Sequence, residues 1–278
     1  MLEDLRIAFI GGGNMARSLV GGLVARGCKP GRISVSDPSA EQRALMAKRI
    51  PVRMSADGAA AVQDADVVVF AVKPQVMKPA AESVAAAVQA RKPLVLSIAA
   101  GIAAPDLEHW LGGGLAIVRA MPNTPALLGA GAAALWANPR VSKAQRATAQ
   151  ALLEAVGTAL WIEDESLMDA VTALSGSGPA YFFLLMELLE EAGIGLGLPS
   201  EAARQLTLQT AFGAARMALE SGEAPAALRK QVTSPGGTTA AALQVFEEGE
   251  LKAVVARALT AARDRGRQLS RESGKEKP

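Results

Sequence analysis

Ile7-Ala8-Phe9-Ile10-Gly11-Gly12-Gly13-Asn14-Met15-Ala16 is an apolar run of strand length that breaks on three glycines and leads into Ser18 to Ala25, a stretch of helical composition. Strand, tight glycine turn and helix, in that order, open a βαβ unit. The spacing Gly11-x-Gly13-x-x-Ala16 fits the dinucleotide fingerprint: one glycine for the turn, one so that a pyrophosphate can approach the backbone, and a small third residue for close helix–strand packing. Alone, the match would be weak, since a buried glycine corner can look the same. It gains from the order of the elements: Ile33-Ser34-Val35-Ser36-Asp37 ends a second short strand with an acid about 20 residues past the turn, where a ribose hydroxyl would be held.

Further strands are expected at 52–54, 65–72 and 93–98, with helix-like segments between them. Uninterrupted β-branched runs alternating with helices mean a parallel sheet covered on both faces. The C-terminal end of each strand then offers loop residues to the ligand crevice, Lys73-Pro74-Gln75 after one and Ala99-Ala100-Gly101 after the next. Two more strands, 117–120 and 132–135, bracket Met121-Pro122-Asn123-Thr124-Pro125. That stiff polar loop is either a rigid connector or a support that presents Asn123 and Thr124 near the nicotinamide or substrate. A helix at 143–155 and a strand at 159–162 complete a first domain, residues 1–162.

From Glu163 the strand signals vanish, and helices are expected at 165–174, 180–192, 200–220, 225–232, 238–248 and 250 to about 271. In 181–191 the apolar residues Phe182, Leu185, Met186 and Leu189 form one face while Phe183, Leu184 and Leu188 occupy another, so the helix is apolar nearly all round. Much of 206–219 reads the same way. A small helical domain has too little interior for such helices, which predicts an intertwined homodimer built from residues 163–271. The polar end, 272–278, reads as a disordered tail. The fold class is α/β: a Rossmann-type, doubly wound, mostly parallel sheet followed by an all-α dimerisation domain.

Two motifs in the helical half carry chemistry. Val232-Thr233-Ser234-Pro235-Gly236-Gly237-Thr238-Thr239 places bare backbone and hydroxyls at the mouth of a helix, where N–H groups lack intrahelical partners and an anion can bind. The hydroxyl of Thr238 or Thr239 could donate to a substrate there; an N-capped turn is the plainer alternative. Ser175-Gly176-Ser177-Gly178-Pro179 is a second glycine-rich helix start, either a tight turn or a bed on which a small flat ligand lies against backbone.

The chain of 278 residues is half hydrophobic and carries a net charge of +2, with 29 basic and 27 acidic residues. No basic stripe interleaved with aromatics suggests nucleic acid, and no apolar stretch approaches the roughly 20 residues that span a bilayer. One cysteine, Cys28, rules out an intrachain disulfide, and the N-terminal residues lack a secretory pattern; a cytoplasmic location is expected. The single histidine, His109, lies outside every glycine-rich motif and is expected on an exposed helix. Metal-ligand spacing is absent, so no metal is expected. An inventory of orientation, hydride delivery and one mild proton donor suits reduction of a C=N bond.

Together with Ala71-Val72-Lys73-Pro74-Gln75 and Arg119-Ala120-Met121-Pro122-Asn123-Thr124-Pro125, these motifs resemble pyrroline-5-carboxylate reductases over nearly the whole chain. The glycine turn is shared with many reductases, whereas residues 232–239 are close to diagnostic. The resemblance implies NAD(P)H-dependent reduction of 1-pyrroline-5-carboxylate to L-proline, the last step of proline biosynthesis, in an interlocked dimer often assembled into a decamer. It assigns the cofactor to Gly11, Gly13, Asn14, Met15, Ser36, Asp37, Ala71, Val72, Lys73, Pro74, Ala99, Ala100, Gly101 and Asn123. It gives the substrate ring to Ser175, Gly176, Ser177, Gly178 and Pro179, the substrate carboxylate to the N–H groups of Gly237, Thr238 and Thr239, and the ring nitrogen to the hydroxyl of Thr239. Asp37 should repel a 2′-phosphate and favour NADH, yet the family commonly uses NADPH, which Ser36, Ser39 or Arg43 could accommodate. The balance tips slightly to NADPH.

Three rivals share parts of this pattern. A β-hydroxyacid dehydrogenase would carry a catalytic lysine after the second glycine-rich turn, and 181–187 has none. An F420-dependent NADP reductase would explain the first domain but not residues 232–239. A cofactor-sensing protein could keep the fold without turnover.

Overall fold

The computed structural model describes residues 2–274. Eight strands, β1 (Ile7–Ile10), β2 (Ile33–Ser36), β3 (Arg53–Ser55), β4 (Val67–Phe70), β5 (Leu94–Ser97), β6 (Ile117–Met121), β7 (Gly131–Ala137) and β8 (Gly157–Trp161), form one sheet. Their order is β3-β2-β1-β4-β5-β6-β7-β8, and every pairing is parallel except β6 with β7. The first six strands follow the Rossmann order, so a topological switch point lies between β1 and β4, where such sheets open a crevice at the strand C-termini. Helices α1 (Asn14–Ala25), α2 (Ala40–Ala47), α3 (Gly58–Val62), α4 (Met77–Arg91), α5 (Ala104–Trp110) and α6 (Lys143–Glu154) connect them. All-helical structure follows in α7 (Met168–Val171), α8 (Gly178–Gly195), α9 (Ser200–Glu220), α10 (Pro225–Gln231), α11 (Thr238–Glu248) and α12 (Leu251–Gly274).

The period of two along each strand sorts the core into two layers. Ile7 and Phe9 of β1, with Val67 and Val69 of β4, pack with α1 residues Leu19, Val20 and Leu23 on one side. Ala8, Ile10, Val68 and Phe70 pack with α4 residues Met77, Ala81, Val84 and Val88 on the other. Both faces being covered explains why these strands read as unbroken apolar runs. Ala16 is fully buried in the first layer, the small residue that close α1–sheet packing requires.

The chain divides into two compact units, 1–177 with 261–278, and 178–260. The expected break after Ile162 thus falls earlier than this division, for a visible reason. Residues 163–177 attach to the sheet unit: the Glu165 carboxylate accepts from the Ala104 N–H and the Arg119 guanidinium, and Met168 is buried. Helix α12 continues to Gly274, beyond the expected start of the tail at 272; the rest of that tail lies outside the described residues.

Candidate active site

Within the sheet unit, a cavity of about 740 Å³ opens where β1, β2 and β4 end, lined among others by Gly11, Gly13, Asn14, Ser36, Asp37, Ala71, Val72 and Lys73. Its floor is bare backbone. Gly11 has φ +102° and sits so close to β4 that a Cβ there would lie 2.7 Å from the Ala71 carbonyl oxygen. Gly13 has open space on its side-chain side, with no heavy atom within 4 Å of an added Cβ. It caps α1 without any side-chain bond, and the first intrahelical bond is Arg17 N–H to Gly13 carbonyl, 3.0 Å. The amides at the start of α1 are therefore available to an anion. A pyrophosphate fits a cradle of this kind because no side chain fills it.

Asp37 is not free in this site. Its Oδ2 accepts the Gly12 N–H at 2.8 Å and its Oδ1 accepts the Ser39 N–H at 2.9 Å. Ser39 in turn caps α2 through Gln42 N–H. Arg43 is tied to the carbonyls of Asp37 and Pro38, at 2.7 and 2.9 Å, and is absent from the cavity lining. Among the side chains that line it without a sequence motif having singled them out are Arg17, Gln42 and Val76. Their only sequence signal is that Arg17 lies on α1 one residue past the fingerprint and Gln42 on the helix after Asp37.

The remaining expected cofactor residues are not gathered into this cavity. Met15 packs partly buried against the first core layer, leaving its N–H as the group it can offer. Pro74 starts a short 3₁₀ turn, and Ala99, Ala100 and Gly101 lie on the loop after β5, where Gly101 faces Ser270 of α12. Asn123 is engaged at both ends: Nδ2–H donates to the Ser175 carbonyl at 3.1 Å and Oδ1 accepts the Ala132 N–H at 2.9 Å. It acts as a strut between the Pro122–Pro125 loop, β7 and the Ser175 turn.

That turn is wider than a tight helix-to-helix turn. Residues Thr172–Gly176 form a π-helical turn continuous with α7, closed by Ser177 N–H to Thr172 carbonyl at 2.8 Å. The wider turn holds Ser175 Oγ on the Val171 carbonyl at 3.1 Å and ends beside Gly178, where α8 begins with Pro179 at its second position. Such bulges recur at functional sites.

In the helical unit, residues 234–239 form a turn into α11. Gly236 takes φ +71°, and the Gly237 N–H donates to the Ser234 carbonyl at 3.0 Å. The turn itself uses the Gly237 N–H, while those of Thr238 and Thr239 stand at the uncapped helix start. Thr233 Oγ1 is committed to the Arg229 carbonyl at 2.6 Å, whereas the Thr238 and Thr239 hydroxyls make no hydrogen bond among the described residues. Thr239 is half-buried and Thr238 exposed.

Arg119, 8% exposed, pairs with Glu165 at 2.8 Å. Burial and the Glu165 charge push the Asp106 carboxyl up. Burial also raises the Cys28 thiol, which packs in the first core layer, and His109 is exposed on α5. Among the described residues no cluster of metal-ligating groups occurs and no helix is long and apolar enough to cross a membrane.

Helices α8 and α9 leave Phe182, Phe183, Leu188, Leu206, Phe212 and Leu219 between 51% and 85% exposed, far more apolar surface than a lone chain keeps in water. The doubly wound sheet, its glycine cradle and these bare helices define a dinucleotide-binding oxidoreductase with a helical association domain. Similarity to known proteins gives the particular family. A family model described as pyrroline-5-carboxylate reductase dimerisation matches residues 165–269, and one described as NADP oxidoreductase, coenzyme F420-dependent, matches 6–101. A pyrroline-5-carboxylate reductase of Pseudomonas aeruginosa is 54% identical over 97% of this chain and 98% of its own length. The solved structure of a pyrroline-5-carboxylate reductase from Coxiella burnetii superposes with TM-score 0.91 at 46% identity, covering 95% of this chain and 98% of that one. That of the Plasmodium falciparum pyrroline carboxylate reductase, with NADP bound, gives 0.86 at 29% identity, covering 97% and 100%. The chain belongs to the pyrroline-5-carboxylate reductase family.

Proposed function

We propose that this chain reduces the C=N bond of 1-pyrroline-5-carboxylate to give L-proline, the last step of proline biosynthesis, in the cytoplasm, using NADPH somewhat ahead of NADH. One observation carries the reading beyond family membership: the uncapped start of α11 offers two backbone amides and, on the same turn, a threonine hydroxyl that makes no hydrogen bond among the described residues. The amides of Thr238 and Thr239 suit the substrate carboxylate, and the Thr239 hydroxyl suits the ring nitrogen, where the product gains its proton. The backbone of Ser175, Gly176, Ser177, Gly178 and Pro179 lines the ring. The glycine cradle at Gly11 and Gly13 holds the dinucleotide pyrophosphate, and Asn14, Ser36, Ala71, Val72 and Lys73 surround the rest of it. A bound reduced nicotinamide supplies the hydride that adds to the imine carbon. The exposed faces of α8 and α9 close in a dimer with interlocked helices, which can assemble further into a decamer.

The deciding assay follows absorbance at the reduced-nicotinamide band with and without 1-pyrroline-5-carboxylate. Substrate-dependent loss of absorbance with L-proline as product is expected. Cofactor binding with no turnover would instead make the chain a sensor that kept the fold.

A further inference from the structure

We infer that Arg17 reads the 2′ position of the adenosine ribose and binds the phosphate that distinguishes NADP(H) from NAD(H). The inference rests on the dinucleotide reading of the cavity.

In this fold the end of β2 marks the ribose, because the acid there ordinarily takes its hydroxyls. Asp37 occupies that position, but each of its oxygens already receives a backbone N–H. Arg17 lies against the same corner. Its Nη1 donates to the Gly12 carbonyl at 3.0 Å, so Asp37 and Arg17 hold the two sides of one glycine. The same nitrogen donates to Gln42 Oε1 at 2.6 Å, and Nη2 donates to Asn14 Oδ1. Every one of these acceptors is neutral, and Arg17 forms no ion pair among the described residues. A half-buried guanidinium held in place by neutral groups, on the wall of a cavity, keeps its charge for a ligand.

The other charged groups near the cavity fit less well. Arg43 is drawn back onto the carbonyls of Asp37 and Pro38 and does not line the cavity. Lys73 lines it without an ion pair among the described residues, but it follows β4, across the switch point from the β2 end. The Asp37 charge opposes a 2′-phosphate, yet its two N–H donors offset part of that field, and Arg17 is the cation on the same glycine.

The test is a calorimetric titration of the full chain with adenosine 2′,5′-bisphosphate and with adenosine 5′-monophosphate, which differ only by the 2′-phosphate. The wild type is expected to prefer the bisphosphate. Arg17→Ala and Arg17→Gln, the second keeping a donor for Gly12, should weaken bisphosphate binding by roughly tenfold to a hundredfold, the size of one charge-assisted contact. Monophosphate binding should change less than about threefold, and Arg17→Lys, which keeps the charge, should retain most of the preference. Bisphosphate binding by the wild type should also fall more steeply with salt, and the variants should lose that excess slope. Equal weakening of both ligands, or no weakening of either, would overturn the assignment while leaving the dinucleotide reading intact. A wild type that bound neither ligand would overturn both.

Discussion

The side-chain amide of Asn123 spans from Ser175 to β7, donating to the Ser175 carbonyl at 3.1 Å while accepting the Ala132 N–H at 2.9 Å. The sequence leaves the Asn123 loop either a rigid connector or a support that presents Asn123 near the nicotinamide or substrate. With both ends engaged, the part of Asn123 is to hold the π-helical turn that we propose lines the substrate ring. Asn123→Ala should lower kcat/KM for 1-pyrroline-5-carboxylate by about tenfold, one lost hydrogen bond plus a displaced turn. Cofactor affinity, followed by quenching of protein fluorescence, should stay unchanged. A parallel loss of cofactor affinity would restore Asn123 to the cofactor site.

Thr239→Ala removes a hydroxyl that makes no hydrogen bond among the described residues and leaves the α11 backbone amides in place. Stability should hardly change, while kcat/KM should fall by one to two decades, about 1–3 kcal/mol for one charge-assisted bond. Thr239→Ser should restore much of the loss. Unchanged steady-state kinetics in the alanine variant would remove Thr239 from the reaction.

The unbroken apolar run at Ile7–Ile10 and the glycine spacing after it make the sheet and its crevice legible, because a strand covered on both faces is apolar throughout and glycine tolerates close backbone approach. Less legible were bonds set by tertiary placement. Nothing in Ser36-Asp37-Pro38-Ser39 announces that the Asp37 oxygens are engaged by Gly12 and Ser39, or that Arg43 turns back to the backbone. Nor does Gly236-Gly237 announce that the φ of +71° at Gly236 folds the chain so that the Gly237 N–H donates to the Ser234 carbonyl. The π-helical turn at Thr172–Gly176 joins the end of the helix expected at 165–174 to the glycine-rich start at Ser175, and Gly and Ser at that spacing mark turns as readily as bulges.

Gly11→Ala tests the cradle itself. A Cβ there meets the Ala71 carbonyl oxygen at 2.7 Å and its carbon at 2.8 Å, both backbone atoms of the chain leaving β4, and the residue holds φ +102°. Steric and conformational strain together should cost about 1–3 kcal/mol of stability, read from the urea midpoint at fixed protein concentration. Cofactor affinity should fall as well, since relief of the clash must move the turn away from Ala71. A variant with wild-type stability and affinity would show that the β1 turn has room that this geometry denies.

Arg119→Ala leaves Glu165 without its guanidinium partner, though Glu165 still accepts the Ala104 N–H at 2.7 Å. Breaking a buried pair from one side should cost about 3 kcal/mol, the low end for such pairs because the Glu165 side chain remains 22% exposed. The urea midpoint should drop accordingly, with an unchanged slope. Since Glu165 stands at the start of the segment leading to the π-helical turn, kcat should fall more than cofactor affinity. A loss of stability confined to a few tenths of a kcal/mol would mean that water replaces the guanidinium at Glu165.

Asp66 makes the stability depend on pH. Burial alone would raise its carboxyl, but the Arg6 N–H at 3.0 Å and the Arg91 guanidinium at 2.7 Å outweigh that and hold it below the ordinary carboxylate range. A carboxyl with a depressed folded-state pKa contributes stability above the unfolded value, about 3.9, and loses it as pH falls through the folded one. Asp66→Asn should therefore melt below the wild type at pH 7, by a modest margin because the Asp66 and Arg91 side chains are 33% and 48% exposed. As the pH is lowered through the acid range the gap between the two melting temperatures should narrow. A gap that stays constant with pH would assign the effect to the lost backbone contact with Arg6 and not to the carboxylate charge.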